Sequence, residues 1–375
     1  MARIIFPHET ARRLRVAFLG TSGHALRNYL PSLAYIPVDL VALWDPDGSR
    51  ARAFARQFGA AAWYTDLDRM LGEAAPDAVL IGVDGYDTAE PLNAGLMARC
   101  LRAGCHAWCD KPVAARAATV RNLIGLRDRA GRIAAVGAKT MHNPAYVRAR
   151  EIVRDPGFGR ATSFSCRYPL RVPPAPGGTL ADPEVRSCLN HVWHPAGAAL
   201  LTMGPVTAVD YRAATAGGGG VAVASFRSGA VGTFHFSVGQ ASTSPLERLE
   251  IVGEGSNVVV DNAANLTWYR RSKAGEYGRA ETYFTDTDSA PVTWQPELSL
   301  GQLYNNNNFM QGYAPSLISF VEAVRLGAAP EQGTLEDAVE ILEFFEAIVG
   351  WAGDTGPVAE ATTAGRPDST RRGRA

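Results

Sequence analysis

The stretch from residue 14 to residue 25 constrains the fold most strongly, because an apolar run passes through a glycine straight into a helical pattern. The run at residues 16–19 has the length of one buried strand. A strand that turns sharply into a helix leaves unpaired N–H groups at the positive end of the helix dipole, where a pyrophosphate can bind. The dinucleotide-binding pattern G-x-G-x-x-G/A is matched here by GTSGHA at residues 20–25. We expect a nicotinamide dinucleotide to be held by Gly20, Ser22, Gly23 and His24.

Ser22 and Asp45 bear on how the cofactor would bind and on which cofactor is preferred. Ser22 stands where the pattern has its second glycine, so its side chain would either crowd the phosphate or donate a hydrogen bond to it. A second apolar run at residues 40–44 ends in Asp45, which lies 22 residues after Gly23 and could accept hydrogen bonds from the ribose hydroxyls. Because a carboxylate repels a 2′-phosphate, we expect NAD rather than NADP. In the alternative interpretation, Asp45 only begins the turn at residues 45–48.

Length, charge and cysteine usage narrow the class of protein. A chain of 375 residues is long enough for two domains. Its 37 basic and 37 acidic residues cancel, so the charge favours neither nucleic acid nor a membrane surface as a partner. No apolar run approaches the roughly 20 residues of a membrane span, and the polar start predicts no signal peptide. The five cysteines form no C-x-x-C pair, which is typical of packing cysteines in a reduced, cytoplasmic protein.

Strands and helices alternate along the first part of the chain. Strands are predicted at residues 16–19, 40–44, 78–83, 107–109 and 133–138, and helices at residues 49–58, 66–71, 91–103 and 117–130. This alternation predicts an α/β fold with a parallel, doubly wound sheet, whose ligand lies at the carboxyl ends of the strands. We place this Rossmann domain at residues 14–141, after a polar extension at residues 1–13.

Strands dominate the second part of the chain. They are predicted, after a helix at residues 144–154, at residues 161–168, 206–213, 220–226, 230–238, 247–252, 256–261 and 265–270, and two closing helices are predicted at residues 315–326 and 335–349. The alternation favours a largely antiparallel sheet with one wet face. Loops are expected at residues 169–183 and 305–308. We place the second domain at residues 142–356 and a disordered tail at residues 357–375.

A lysine follows the strand at residues 107–109, in the sequence Asp110-Lys111-Pro112. Proline biases the residue before it toward an extended conformation, so the Lys111 ammonium would point into the cleft beside the nicotinamide. Lysine is rare in this chain, and unlike arginine it can titrate. We expect Asp110 and Lys111 to border the cofactor. The alternative is a surface turn with a solvated lysine.

The residues around this lysine resemble the glucose–fructose oxidoreductase/inositol dehydrogenase family (Gfo/Idh/MocA). The stretch at residues 100–113 carries the resemblance and reads CLRAGCHAWCDKPV. Residues 249–255, 313–327 and 337–347 resemble further elements of the family, so the resemblance extends from about residue 15 to residue 350. It implies a Rossmann domain followed by an α/β domain with an open, mostly antiparallel sheet. It also implies NAD(P)-dependent oxidation or reduction of a secondary alcohol of a sugar, aminosugar or cyclitol.

The resemblance also implies catalytic roles. The family's second motif, D-x-x-x-H, is matched at Asn190 and His194, with asparagine in place of the acid. His194 would act as general acid or base, because imidazole titrates near neutral pH, and Lys111 would stabilise the developing alkoxide. Asn190 could orient the imidazole by a hydrogen bond but could not stabilise its cation by charge. His191, three residues before His194 on the same helical face, could compensate.

Other residues near the expected cleft have two interpretations each. Lys139 and His142 would contact substrate hydroxyls or a phosphate, or would only be polar residues at a helix start. Asp84 would lie near the nicotinamide, or would only cap the following turn. Pro195 is expected in the first turn of a helix.

Alternatives to catalysis remain open at this stage. The His191 and His194 pair could bind a metal, but no cysteine or acid at a suitable spacing completes a site, so we expect none. His194 could also be a packed core histidine. Because Asn190, Ser22 and Asp84 depart from the family pattern, a second hypothesis is a non-catalytic sugar- or dinucleotide-sensing protein. In either case the resemblance implies a homodimer or homotetramer formed through the open face of the second sheet.

Overall fold

Two sheets organise the protein, as seen in a computed structural model that describes residues 4–86, 90–173, 179–214, 217, 219–271, 289–296 and 306–350. The first sheet is parallel, with the strand order β3-β2-β1-β4-β5-β6. Its strands are β1 (Leu14–Leu19), β2 (Val38–Trp44), β3 (Ala62–Tyr64), β4 (Ala78–Ile81), β5 (His106–Asp110) and β6 (Ala134–Gly137). The predicted doubly wound sheet is confirmed, and β3, a three-residue edge strand, is an addition to it.

Helical segments connect these strands, and aspartate side chains cap two of them, at Asp47 and Asp66. The segment after β1 combines a π-helical turn (Ala25–Tyr29), α1 (Leu30–Ser32) and a 3₁₀ turn (Leu33–Tyr35), and it is followed by α2 (Gly48–Phe58), α3 (Leu67–Ala74), α4 (Leu92–Arg102) and α5 (Ala117–Ala130). The Asp47 side chain accepts the N–H groups of Ser49 and Arg50 at the start of α2. In the described part of the N-terminal extension, residues 4–13, the regular element is the 3₁₀ turn Pro7–Glu9.

The second sheet has eight strands in the order β14-β13-β12-β11-β7-β10-β9-β8. They are β7 (Ser163–Tyr168), β8 (Val206–Ala213), β9 (Gly219–Phe226), β10 (Val231–Ser237), β11 (Arg248–Val252), β12 (Asn257–Asp261), β13 (Asn265–Tyr269) and β14 (Val292–Trp294). Every neighbouring pair is antiparallel except β7 and β10, which run parallel. The prediction of a largely antiparallel sheet is confirmed, and β14 was not predicted.

The helices of the second part pack on both sheets: α6, α7 and α10 contact the second sheet, and α9 and α10 contact β6 of the first. They are the 3₁₀ turn Lys139–His142, α6 (Pro144–Arg154), the 3₁₀ turn Pro156–Phe158, α7 (Pro183–Met203), α8 (Asn306–Met310), α9 (Tyr313–Leu326) and α10 (Leu335–Ile348). Two expectations were wrong. Pro195 lies inside α7 and not in its first turn, and residues 306–308 are helical where a loop was expected. Residue 305, residues 174–178 of the predicted loop, and the predicted tail lie outside the described residues.

Residues of α9, of α10 and of the segment between them bond to the first domain, and α10 also packs against β8 of the second sheet. The Trp108 indole N–H donates to the Ser316 hydroxyl at 3.2 Å, and Val136 N–H donates to the Gly333 carbonyl at 2.7 Å. The Glu346 carboxylate accepts the first N–H of α5. The carboxyl ends of β1, β4 and β5 face the middle of α7 across one opening.

None of the helices in the described part of the chain combines the length and the apolar character that crossing a membrane requires. All five cysteines are buried and unpaired, which confirms the packing role expected for them.

Candidate active site

The glycine turn after β1 brings the chain very close to β4. Gly20 has a φ of 97°, which is in the left-handed region that favours glycine. A Cβ at this position would lie 2.8 Å from the Gly82 carbonyl oxygen, so no other residue fits without displacing β4. Gly23 and the Arg27 guanidinium lie beyond the turn and line an open cleft. The first sequence motif therefore forms the wall of a cavity and is more than a structural turn.

Ser22 uses its hydroxyl within the protein. The hydroxyl donates to the Gly82 carbonyl at 3.2 Å and accepts the Ala25 N–H at 3.0 Å. Its only proton is thus directed at β4, so in this arrangement it does not donate to a phosphate. The serine instead caps the helical segment, as serine commonly does.

Asp45 is buried at the end of β2, where the ribose carboxylate was predicted. One carboxylate oxygen accepts the Thr21 hydroxyl at 2.5 Å and the other accepts the Asp47 N–H at 3.0 Å. The Arg50 guanidinium donates to the Thr21 carbonyl at 2.6 Å. These bonds connect the start of α2 to the glycine turn and hold Asp45 in one orientation.

Asp110 is a buried carboxylate beneath the cleft. One of its oxygens accepts the Tyr29 hydroxyl at 2.5 Å and the Lys111 N–H at 2.8 Å. The other lies 3.5 Å from His24 Nε2. Burial raises the pKa of Asp110, and the charges of Lys111 and His24 oppose that shift. Burial lowers the pKa of His24. The two predicted cofactor residues Asp110 and His24 thus form one network, which fixes the main chain of Lys111.

Lys111 crosses from the first sheet to α7. Its ammonium donates to the Asn190 carbonyl at 2.9 Å. Pro195 lies inside the same helix, where it has no N–H to offer the His191 carbonyl four residues earlier. The Lys111 side chain lines the open cleft, as predicted.

His194 is oriented by a residue that sequence reasoning missed. The Thr140 hydroxyl lies 2.8 Å from His194 Nδ1. The side-chain oxygen of Asn190 instead accepts the Tyr86 hydroxyl at 2.8 Å. Burial lowers the pKa of His194 well below its ordinary value, and the positive charges of Lys111 and Lys139 lower it further. The imidazole is therefore neutral near pH 7. The only sequence signal for Thr140 is that it is a polar residue just after the last parallel strand, at the edge of the sheet where ligands bind.

The remaining predicted residues divide between several places. His191 is exposed at the mouth of the cleft, and its Nδ1 donates to the Ser187 carbonyl at 2.7 Å. Asp84 is an exposed residue of the same cleft wall. His142 is not brought to this site: it lines a separate cavity of about 580 Å³ beside Arg150, where burial and that guanidinium lower its pKa to about 4. Lys139, on the same 3₁₀ turn, does face the site.

Two cavities are lined by neighbouring residues of α7, the open cleft by Asn190 and His191 and the inner pocket by His194. The open cleft of about 600 Å³ is lined by the glycine turn and α7, among others by Gly23, Arg27, Asp84, Lys111, Asn190 and His191. The inner pocket, of about 40 Å³, is lined by polar side chains that include Lys139, Tyr146, Tyr168, His194, Glu247 and Gln311. In the described part of the chain, no group of three or more histidine, cysteine or acidic side chains is placed to hold a metal.

The residues of the open cleft fit a nicotinamide dinucleotide. The position of Gly20 excludes a side chain, and Arg27 and Lys111 supply positive charge on the cleft wall. The buried His24 Nε2 has no hydrogen-bond partner among the described residues. A glycine turn at a helix start with nearby cations is the usual arrangement for a pyrophosphate.

Comparison with known proteins agrees with this geometry. Residues 14–138 match the model of an oxidoreductase family with an NAD-binding Rossmann fold, the Gfo/Idh/MocA family. The chain is similar to this family over these residues, which are about a third of its length. The resemblance noted in the sequence is thereby confirmed.

Three known proteins show how far the similarity extends. A dTDP-3,4-didehydro-2,6-dideoxy-α-D-glucose 3-reductase of Streptomyces violaceoruber is 35% identical over 166 residues, which are 44% of this chain and 47% of that protein. The chain thus spans about half the length of this relative. A dehydrogenase structure from Chromobacterium violaceum superposes with a TM-score of 0.74 at 20% identity, over 90% of this chain and 95% of that one. A structure of a 3-ketoreductase of Actinomadura kijaniata, solved with NADP and TDP-benzene, superposes with a TM-score of 0.63 at 18% identity. The superposition covers 90% of this chain and 97% of that one.

Proposed function

We propose that the protein transfers a hydride between a nicotinamide cofactor and a secondary hydroxyl or ketone of a sugar, aminosugar or cyclitol. The observation that carries the proposal is the contact between Lys111 and the Asn190 carbonyl. His194 lies four residues after Asn190, about one helical turn along α7. The Lys111 ammonium is thus bonded to the helix that carries the His194 imidazole, about one turn before it, which supports a shared role. The names of the relatives, which are reductases and dehydrogenases, favour an enzyme over the sensing alternative.

The chain's own residues account for binding and for positioning. Gly20, Gly23 and Arg27 would hold the pyrophosphate, and Asp45 would accept the ribose hydroxyls. When bound, the nicotinamide accepts or supplies the hydride. Lys111 uses one N–H on Asn190 and has two left, which would hold the substrate oxygen and stabilise negative charge on it.

His194 is suited to remove the proton of the substrate hydroxyl. If its Nδ1–H donates to Thr140, then Nε2 carries a free lone pair toward the pocket. Because the pKa of His194 is lowered, the imidazole is neutral and can accept a proton near pH 7. In alcohol oxidation the O–H proton moves to Nε2 and the carbon–oxygen double bond forms as hydride leaves carbon. The neutral imidazole is the form that alcohol oxidation requires of a general base.

NAD is the proposed cofactor in preference to NADP. Asp45 is held by Thr21 and the Asp47 N–H at the position expected for the ribose carboxylate. A 2′-phosphate would meet this fixed negative charge. Arg50, the nearby cation that could offset it, donates to the Thr21 carbonyl.

We also propose that the second sheet pairs with another copy of the chain. Val221, Val223 and Val231 lie on the same outer face of β9 and β10 and are 40%, 50% and 55% exposed. Covering such residues lowers the free energy of association. Light scattering at micromolar concentration should give at least a dimer, and a monomer would contradict this proposal.

The proposed activity is tested with purified protein, NAD or NADP, and a panel of aldoses, aminosugars and inositols. We expect reduced nicotinamide to form with at least one substrate, which its near-ultraviolet absorbance reports. Thermal stabilisation by ligands without turnover, unaffected by Lys111→Met, would instead support the sensing alternative.

A further inference from the structure

The inner pocket contains an acidic side chain, Glu247, that has no hydrogen-bond partner among the described residues. Glu247 lies just before β11, and its main chain is held by Asn262, whose N–H donates to the Glu247 carbonyl at 2.9 Å. The carboxylate lines the inner pocket beside His194. Among the residues that the structure describes, none forms a hydrogen bond or a close ion pair with this carboxylate. The backbone is thus fixed while the charged end faces the cavity.

The neighbouring polar groups do not satisfy Glu247 either. The Lys139 ammonium donates to the Gln311 side-chain oxygen at 2.7 Å and lies 4.9 Å above the Tyr313 ring. Within the described ranges, the hydroxyls of Tyr146 and Tyr168 also have no hydrogen-bond partner. Burial raises the pKa of Glu247, and the charge of Lys139 opposes this. Buried or half-buried polar groups that the protein leaves unpaired around one cavity are normally satisfied by water or by a ligand.

We propose that Glu247 is a specificity-determining residue that accepts a hydrogen bond from a protic substituent, a hydroxyl or an ammonium group, on the substrate. The proposal rests on the function proposed above, because it requires the reacting carbon to lie between Lys111 and His194. The substituent enters the inner pocket while the rest of the substrate occupies the open cleft. Tyr146 and Tyr168 supply further hydrogen-bonding groups around it.

The size of the inner pocket limits this substituent. Its volume is about 40 Å³. A single water needs roughly 10–15 Å³ by the same measure, so the pocket has room for about three. A hydroxyl, an amino group or a hydroxymethyl group fits, and a second sugar ring does not. Glu247 therefore distinguishes substrates by one small polar group and not by overall size.

The test uses Glu247→Gln, which keeps the shape of the side chain and removes its charge. The probes are D-glucose, its single-deoxy analogues and the corresponding amino sugars, bound to the protein in the presence of NAD. For probes that carry the recognised substituent, we expect about 10- to 100-fold weaker binding by the variant, the usual effect of losing a hydrogen bond to a charged group. One deoxy analogue should bind wild type more weakly than D-glucose does, by the same roughly 10- to 100-fold factor. The variant should bind that analogue and D-glucose with equal affinity.

The two kinds of substituent are separated by the amino sugars. A tighter wild-type complex with one amino sugar than with its hydroxyl counterpart, abolished by Glu247→Gln, identifies an ammonium group. Equal affinity for the two identifies a hydroxyl. Any turnover at saturation should change much less than KM, because Glu247 does not touch the reacting atoms.

The control is Glu254→Gln, which alters an exposed carboxylate paired with Arg160 at 3.2 Å. It should leave binding unchanged. Binding of the probes that is the same in wild type and in a folded Glu247→Gln protein would overturn this inference alone. Failure of every probe to bind wild-type protein would overturn the inference together with the proposed function.

Discussion

Replacing Lys111 by methionine should separate catalysis from folding. The side chain donates one hydrogen bond to the Asn190 carbonyl at 2.9 Å and has two N–H groups left for the substrate oxygen. Loss of one donor to a developing oxyanion typically costs about 2.7–4 kcal/mol, or roughly 10²–10³ in kcat. Loss of the bond to Asn190 costs about 1–2 kcal/mol of unfolding free energy. We therefore expect a large fall in kcat and a melting temperature lower by only a few degrees.

The assay for Lys111→Met is steady-state formation of reduced nicotinamide at saturating cofactor, with thermal melting followed by circular dichroism. Arg99→Met is the matched control, because it removes an exposed cation that pairs with Asp68 on the far side of α4. A kcat for Lys111→Met within about threefold of wild type, well short of the loss of an oxyanion donor, would refute the role assigned to the ammonium.

Three further predictions follow from the geometry. Because the pKa of His194 is lowered, alcohol oxidation should lose activity only below about pH 6.5, the value for an unperturbed imidazole, as a pH–rate profile would report. Gly20→Ala should lower the unfolding free energy by about 2–4 kcal/mol in denaturant titrations, whereas Gly59→Ala, with positive φ but no close neighbour, should lose about 1 kcal/mol. Asp45→Ala should reduce kcat/KM for NAD at least about tenfold and narrow its advantage over NADP. A profile centred above pH 6.5, equal losses for the two glycines, or an unchanged NAD/NADP ratio would contradict these predictions in turn.

Much of the fold was predictable from local signals. The bounds of α5, Ala117–Ala130, agree with the prediction because Gly131 ends the helix in the left-handed conformation. Strand β8, Val206–Ala213, also agrees with its prediction. By contrast β3 and β14 have three residues each, too few for an alternating pattern. Such edge strands form because a neighbouring strand offers free hydrogen-bonding groups, which no local pattern reveals.

The sequence identified several residues of the candidate site but not the hydrogen bonds that hold them in place. Lys111 and His194 were identified from motif and resemblance, and each of them lines a cavity. The bond between Thr140 and His194 spans 54 residues of sequence, and no pattern in the chain predicts it. No pattern in the chain predicts the role of Glu247 either, because that role depends on the carboxylate having no hydrogen-bond partner among the described residues of the folded chain. His142 shares a 3₁₀ turn with Lys139, and only the packing of Arg150 beside it shows that it lies elsewhere.

The central claim is that Lys111 and His194 act on one substrate oxygen. The most direct test is a double-mutant cycle on the rate of hydride transfer in single turnovers, with Lys111→Met, His194→Asn and the double variant. Groups that act on the same atom are not independent, so the double variant should lose far less than the product of the two single losses. Losses that multiply exactly, or a His194→Asn protein as fast as wild type, would contradict the account.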